Sequence, residues 1–151
     1  DIVHFARSGQ VYTLGASTTI TVLSPARDPS MLESNTSSIV VKVSYGESDF
    51  MLTGDAPEGI EDYLSVTYGE ALQSEVLKLG HHGSKTSTGE LFLEAVKPQY
   101  AVVSSGRDNR YGHPNVEVVD RVTARNIPIS NTATEGAIHF QSDGARVWIR
   151  Q

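Results

Sequence analysis

Hydrophobic and polar positions alternate in short runs through the first third of the chain and take up helical spacing later. Val11–Leu14 and Thr18–Leu23 predict two strands about Gly15-Ala16, the second with Ile20 and Val22 on one face. Ser24 to Asn35, rich in serine, proline and mixed charge, predicts a surface loop. Ser38–Tyr45 sets Ile39, Val41 and Val43 against Val40, Lys42 and Ser44. The turn residues that follow lead into Phe50-Met51-Leu52, a hairpin pattern. Pro57 suits the first turn of a helix, where its missing N–H is no loss, and Ile60 and Leu64 give that helix a buried side. Val76–Leu79 reads as a short buried strand. Ser87-Thr88-Gly89-Glu90 has capping-box spacing, so a helix is expected from near Ser87, with Leu91, Phe92, Ala95 and Val96 inward and Pro98 as its stop. Tyr100–Val103 is a further strand. A third helix is expected from Pro114, with Val116, Val119 and Val122 in register, ending before Pro128. Ala137–Phe140 and Ala145–Ile149 flank Asp143-Gly144 as a last hairpin.

Strands alternating with helices and closed by hairpins predict the α/β class, a mixed sheet with helices on one or both faces. Composition narrows the chemistry. The 151 residues include no cysteine, which excludes disulfide scaffolds, thiolate zinc, iron–sulfur clusters and cysteine nucleophiles. A net charge of −6 argues against a general binder of phosphate backbones. No apolar run is long enough to span a bilayer. The beginning Asp1-Ile2-Val3-His4 lacks both the pattern of a signal peptide and an initiator Met, so an excised piece is expected.

Three unusual tripeptides follow strand ends: Thr53-Gly54-Asp55, Gly80-His81-His82 and Gly112-His113-Pro114. Loops at one sheet edge are where α/β proteins collect chemistry. Asp55 could ligate a metal; taken alone, it reads better as the N-cap of the helix at Pro57. His81 and His82 leave a buried strand in different directions, so one can reach a metal while the other faces substrate or solvent. The alternative is a pair of loop histidines without a role. The Arg107 to Pro114 loop joins two guanidinium groups, an amide, a phenol and the His113 imidazole, a set able to hold phosphate and donate a proton. It also reads as a solvated loop with His113 capping the next helix. His4 and His139 lack such company and receive no role. There is no Gly-x-Ser-x-Gly elbow and no Walker or dinucleotide-binding phosphate loop.

Four segments in order carry a resemblance: Ser34 to Val41, Phe50 to Ala56, Val76 to Ser84 and Asp108 to Pro114. Together they strongly resemble the metallo-β-lactamase-fold domain of the ComEC/Rec2 DNA-uptake proteins and their stand-alone hydrolase relatives. The resemblance implies an αββα sandwich of two similar halves with one or two metals, Zn or Mn, at the sheet edge, and phosphodiester chemistry on DNA or a small phosphoester. It implies metal-ligand roles for Asp55 and His82, and leaves His81 beside the metal or facing substrate. His81 or His113 would protonate the leaving oxygen. Asn35, Ser84, Lys85, Asn109 and Arg110 match family motifs or bring polar and charged groups near the pocket, as substrate-binding candidates. The family's main motif, His-x-His-x-Asp-His or an Asp-rich variant, is absent here.

Residues 1–151 are therefore expected to form the later half of such a domain. With two ligand candidates the chain is expected to bind metal weakly and hydrolyse little. Its partners would be the missing first half, a phosphoester or DNA in the parent, and further copies of itself through the surface that half would cover. The competing class is a folded interaction module without metal. The resemblance fits either an extracytoplasmic domain of a membrane protein or a soluble enzyme; the segment itself offers no membrane contact.

Overall fold

The computed structural model describes residues 5–150. A seven-stranded sheet has its strands in chain order: β1 (Val11–Leu14), β2 (Thr18–Ser24), β3 (Val40–Tyr45), β4 (Ser48–Leu52), β5 (Val76–Lys78), β6 (Tyr100–Val103) and β7 (Ile129–Asn131). β1 to β4 form an antiparallel meander, and β4 to β7 run parallel. Parallel neighbours need crossovers. These are supplied by α1 (Glu58–Tyr68), α2 (Glu90–Val96) and α3 (Val116–Thr123). A short α4 (Thr132–Glu135) precedes a separate hairpin of β8 (His139–Ser142) and β9 (Val147–Arg150). The expected mixed α/β sheet is the one that forms.

Register assigns the two faces. Met51, Leu77 and Ala101 are paired across β4, β5 and β6, and all three are buried. They share a core with Leu64 of α1, Phe92, Leu93 and Val96 of α2, and Val118 and Val122 of α3. The paired set one residue earlier, Phe50, Val76 and Tyr100, points the opposite way. On that rear face Phe140 of β8 meets Phe50 edge-on at 6.3 Å and Tyr100 at 5.6 Å.

Two helices are rotated from their expected faces. Leu91 is 44% exposed while Leu93 is buried, and Val116 is 69% exposed while Val118 is buried. α3 begins at Val116, not at Pro114. Two helical residues differ by about 200° around the axis, so once Val118 and Val122 face the sheet, Val116 must point outward. α2 likewise begins at Glu90 with Gly89 as its cap. Ser87 does not cap it, because its hydroxyl donates to the Ala56 carbonyl. The cap is replaced from another helix: Glu61 of α1, fully buried, accepts the Gly89 N–H at 2.9 Å.

Candidate active site at the ends of three parallel strands

β4, β5 and β6 end side by side, and the loops that leave them carry the three tripeptides. After β4, Gly54 turns with φ 57° and its carbonyl accepts the His81 N–H at 3.1 Å, tying the first loop to the second. Asp55 is fixed by its own N–H, which donates to Ser38 Oγ at 3.2 Å. Its carboxylate does not cap α1, whose first turn has no side-chain cap. It points instead at His82, with 3.6 Å between Oδ1 and Nε2.

His81 and His82 do not diverge as two strand residues would. Both lie in the left-handed region, φ 47° and 58°, within a tight turn from Gly80 to Gly83. Their rings therefore stay within 6.3 Å of each other. His82 Nδ1 lies 2.6 Å from the Ser104 carbonyl. A carbonyl can only accept, so Nδ1 carries the hydrogen and the neutral ring keeps its Nε2 lone pair on the Asp55 side. Histidine metal ligands are commonly oriented in this way.

The third loop brings His113 to 5.8 Å from His81, ring to ring. Asn109 clasps that loop: its amide nitrogen donates to the Gly106 and His113 carbonyls, and its oxygen accepts the His113 N–H. His113 does not cap α3, which Asn115 precedes without a side-chain cap bond. His113 Nδ1 is buried without a partner among the described residues. Burial, and then the proximity of His81 and His82, push its pKa below the ordinary histidine value, with Asp55 opposing. Gly83 makes the close approach possible, since a Cβ there would sit 2.7 Å from Pro114 Cβ.

The other candidates take different positions. Ser84 is buried, and its hydroxyl contacts Thr86 Oγ1 at 3.0 Å. Lys85 is held by its N–H on Asn115 Oδ1, leaving its exposed side chain near the His81 turn. Arg110 is exposed beside Asn109. Asn35 is exposed in the turn before β3, and it is Ser38, three residues on, that reaches Asp55. His139 is exposed on β8, and His4 lies outside the described residues. Ser38, Ser104 and Lys78 are the participants the sequence did not single out. Lys78 donates to the Gly54 carbonyl at 3.3 Å, and burial lowers its pKa against the pull of Asp55. A lysine inside the apolar Val76–Leu79 run was the available signal.

A cleft of about 320 Å³ opens at the site, lined in part by His82, Asn109, Tyr111 and His113. Among the described residues no three histidine or carboxylate side chains converge on one point to hold a metal ion. Asp55 and His82 stand together as a pair, 3.6 Å apart, whereas catalytic zinc usually has three protein ligands.

The chain is similar to bacterial competence proteins. It is 44% identical over 109 residues to competence protein ComA of Neisseria gonorrhoeae, covering 72% of this chain and 16% of that protein. It is 38% identical over 122 residues to ComE operon protein 3 of Bacillus subtilis, 80% of this chain and 15% of the relative. With recombination protein 2 of Haemophilus influenzae it shares 38% over 117 residues, 78% of this chain and 14% of the relative. The chain thus spans roughly one sixth of the length of these curated relatives. No family model matches it. No helix among the described residues is long and apolar enough to cross a membrane.

Proposed function

We propose that this chain is the later half of a metallo-β-lactamase-type hydrolase domain in a competence protein, acting on phosphodiesters during DNA uptake. The observation that carries the proposal is the Asp55–His82 pair, with the free Nε2 of His82 set toward the carboxylate by the Ser104 carbonyl. Two donors do not complete a site, so the remaining ligands come from outside the described residues. A divalent ion such as Zn²⁺ or Mn²⁺ supplies an acidified water and charge stabilisation in sites of this kind. This chain's own part is to hold the two donors, to bring Lys85 and Arg110 to phosphate charge, and to present His81 and His113 within proton-transfer reach of a leaving oxygen. Burial and the neighbouring histidines push the His113 pKa down and so favour its neutral form, and His81, 5.8 Å away ring to ring, is the other candidate for the proton transfer.

Calorimetry and hydrolysis assays test this together. The isolated chain is expected to bind Zn²⁺ or Mn²⁺ weakly, and stoichiometric sub-micromolar binding would contradict the two-donor reading. In the longer parent protein, Asp55→Ala and His82→Ala are expected to lower phosphodiester hydrolysis on the order of 100-fold or more, through lost ligation. A parent that hydrolyses equally well with both replaced carries its hydrolysis elsewhere, and this segment is then a non-enzymatic interaction module.

A further inference from the structure

Tyr111 offers a ring face as well as the phenol counted among the polar groups of its loop. It is 73% exposed, yet its ring lies nearly parallel to His113, 17° between planes and 5.8 Å between centroids. Single exposed aromatics are ordinary on protein surfaces. This one is backed by a second ring and carried on a loop that Asn109 closes with three hydrogen bonds. It also borders the 320 Å³ cleft that runs to His82. A phosphate group makes no use of an aromatic face, so a bare phosphoester leaves this feature without a role.

We infer that Tyr111 is a stacking platform for an unpaired nucleobase, and that the adjoining cleft takes the nucleotide whose phosphate meets the histidines. Every base offers a π-face, so the contact is tolerant of sequence, but in a duplex that face is covered by neighbouring bases. The site therefore selects polynucleotide with exposed bases over duplex and over simple phosphoesters. Ser105 gives the cleft a firm wall, with its N–H on Thr132 Oγ1 at 3.0 Å and its hydroxyl on Asn131 Oδ1 at 3.2 Å. Arg110, adjacent in sequence and exposed, is placed to follow the backbone.

The inference rests on the proposed phosphodiester site, and the test separates the two. Fluorescence anisotropy on the longer parent protein compares an oligo-dT with an abasic oligonucleotide of equal length and charge. The wild type is expected to prefer oligo-dT by roughly 5- to 100-fold, the range of one base–aromatic stack. Tyr111→Ala should bring oligo-dT down to the abasic level and leave abasic binding unchanged. Tyr111→Phe should keep the preference, because the ring and not the hydroxyl carries it. Equal binding of the two probes by the wild type, an equal loss of both in Tyr111→Ala, or no binding of either overturns the inference. Hydrolysis is read separately: a protein that prefers oligo-dT but cleaves nothing keeps the platform and loses the hydrolase.

Discussion

His81 and His82 hold consecutive left-handed conformations, φ 47° and 58°. For a side chain with a Cβ this costs roughly 1–2 kcal/mol per residue. Glycine would relieve it, so its absence marks a place where the side chains are worth the strain. Among the described residues the His81 side chain makes one hydrogen bond, a long one of 3.4 Å with Thr86 Oγ1, whereas His82 is held at 2.6 Å by the Ser104 carbonyl. His81→Gly is therefore expected to raise stability by up to about 1 kcal/mol in urea unfolding, because strain goes and little bonding is lost. His82→Gly should gain less or lose; no gain in His81→Gly would refute the assignment of strain, and an equal effect of both would refute the weight given to the Ser104 bond. Gly83 behaves in the opposite sense. With φ 81° and Pro114 Cβ at 2.7 Å from a built Cβ, Gly83→Ala should destabilise by about 2 kcal/mol or more and separate His81 from His113.

At the scale of elements, Glu61 joins α1 to the start of α2. Its Oε2 accepts the Gly89 N–H, while Oε1 is buried without a partner among the described residues. Burial is the main cause that raises its pKa from 4.5 to about 7, and the amide bonds from Gly89 and Thr88 oppose it. A carboxyl with a raised folded-state pKa is protonated in the fold while the unfolded chain has already lost its proton. Its stabilising effect is therefore complete below pH 4.5 and is lost as pH rises through about 7. The full decline is on the order of 3 kcal/mol. Glu61→Gln keeps the acceptor for Gly89 and is expected to flatten that slope between pH 5 and 8, as read by unfolding midpoints at each pH. A mutant slope matching the wild type would show that Glu61 does not titrate in this window.

Much of this was legible in the chain. The strands Val11–Leu14 and Tyr100–Val103 begin and end where their apolar runs do, because a period of two leaves little freedom about which residues pair. The loops bearing Asp55, the paired histidines and His113 were legible as well, as polar tripeptides closing apolar strands. Helix faces were less so. The orientation of α2 and α3 is decided by the sheet beneath them, and spacing alone admits both Val116 and Val118. β7 was invisible, since Ile129-Ser130-Asn131 has one apolar residue and exists through its parallel pairing with β6. The cap of α2 was misread for a related reason: Glu61 lies 28 positions from Gly89 in sequence, and no local pattern announces it.

For the whole molecule, the two faces of the sheet are covered unequally. The helices bury Met51, Leu77 and Ala101 on the front, whereas at the rear Ile20, Val41 and Val43 are half-buried and Leu52 is 39% exposed. What covers the rear is the β8–β9 hairpin, held at two places. Phe140 packs against Phe50 and Tyr100. At the hairpin tips the Glu47 N–H donates to the Gly144 carbonyl at 2.6 Å, and the Ser142 hydroxyl donates to Ser48 Oγ at 2.7 Å. Gly46, at φ 60°, permits that docking, because a Cβ there would lie 2.3 Å from the Gly144 oxygen. Gly46→Ala cannot keep both turns in place, and neither atom of the clash belongs to a movable side chain. The variant is expected to lose at least about 2 kcal/mol of stability and to loosen the hairpin. Uncovered apolar sheet seeks a partner, so sedimentation velocity should show association that grows with concentration, already present in the unsubstituted chain and stronger in Gly46→Ala and Phe140→Ala. A monomer unchanged across concentration in all three proteins would mean that the rear face needs no further cover.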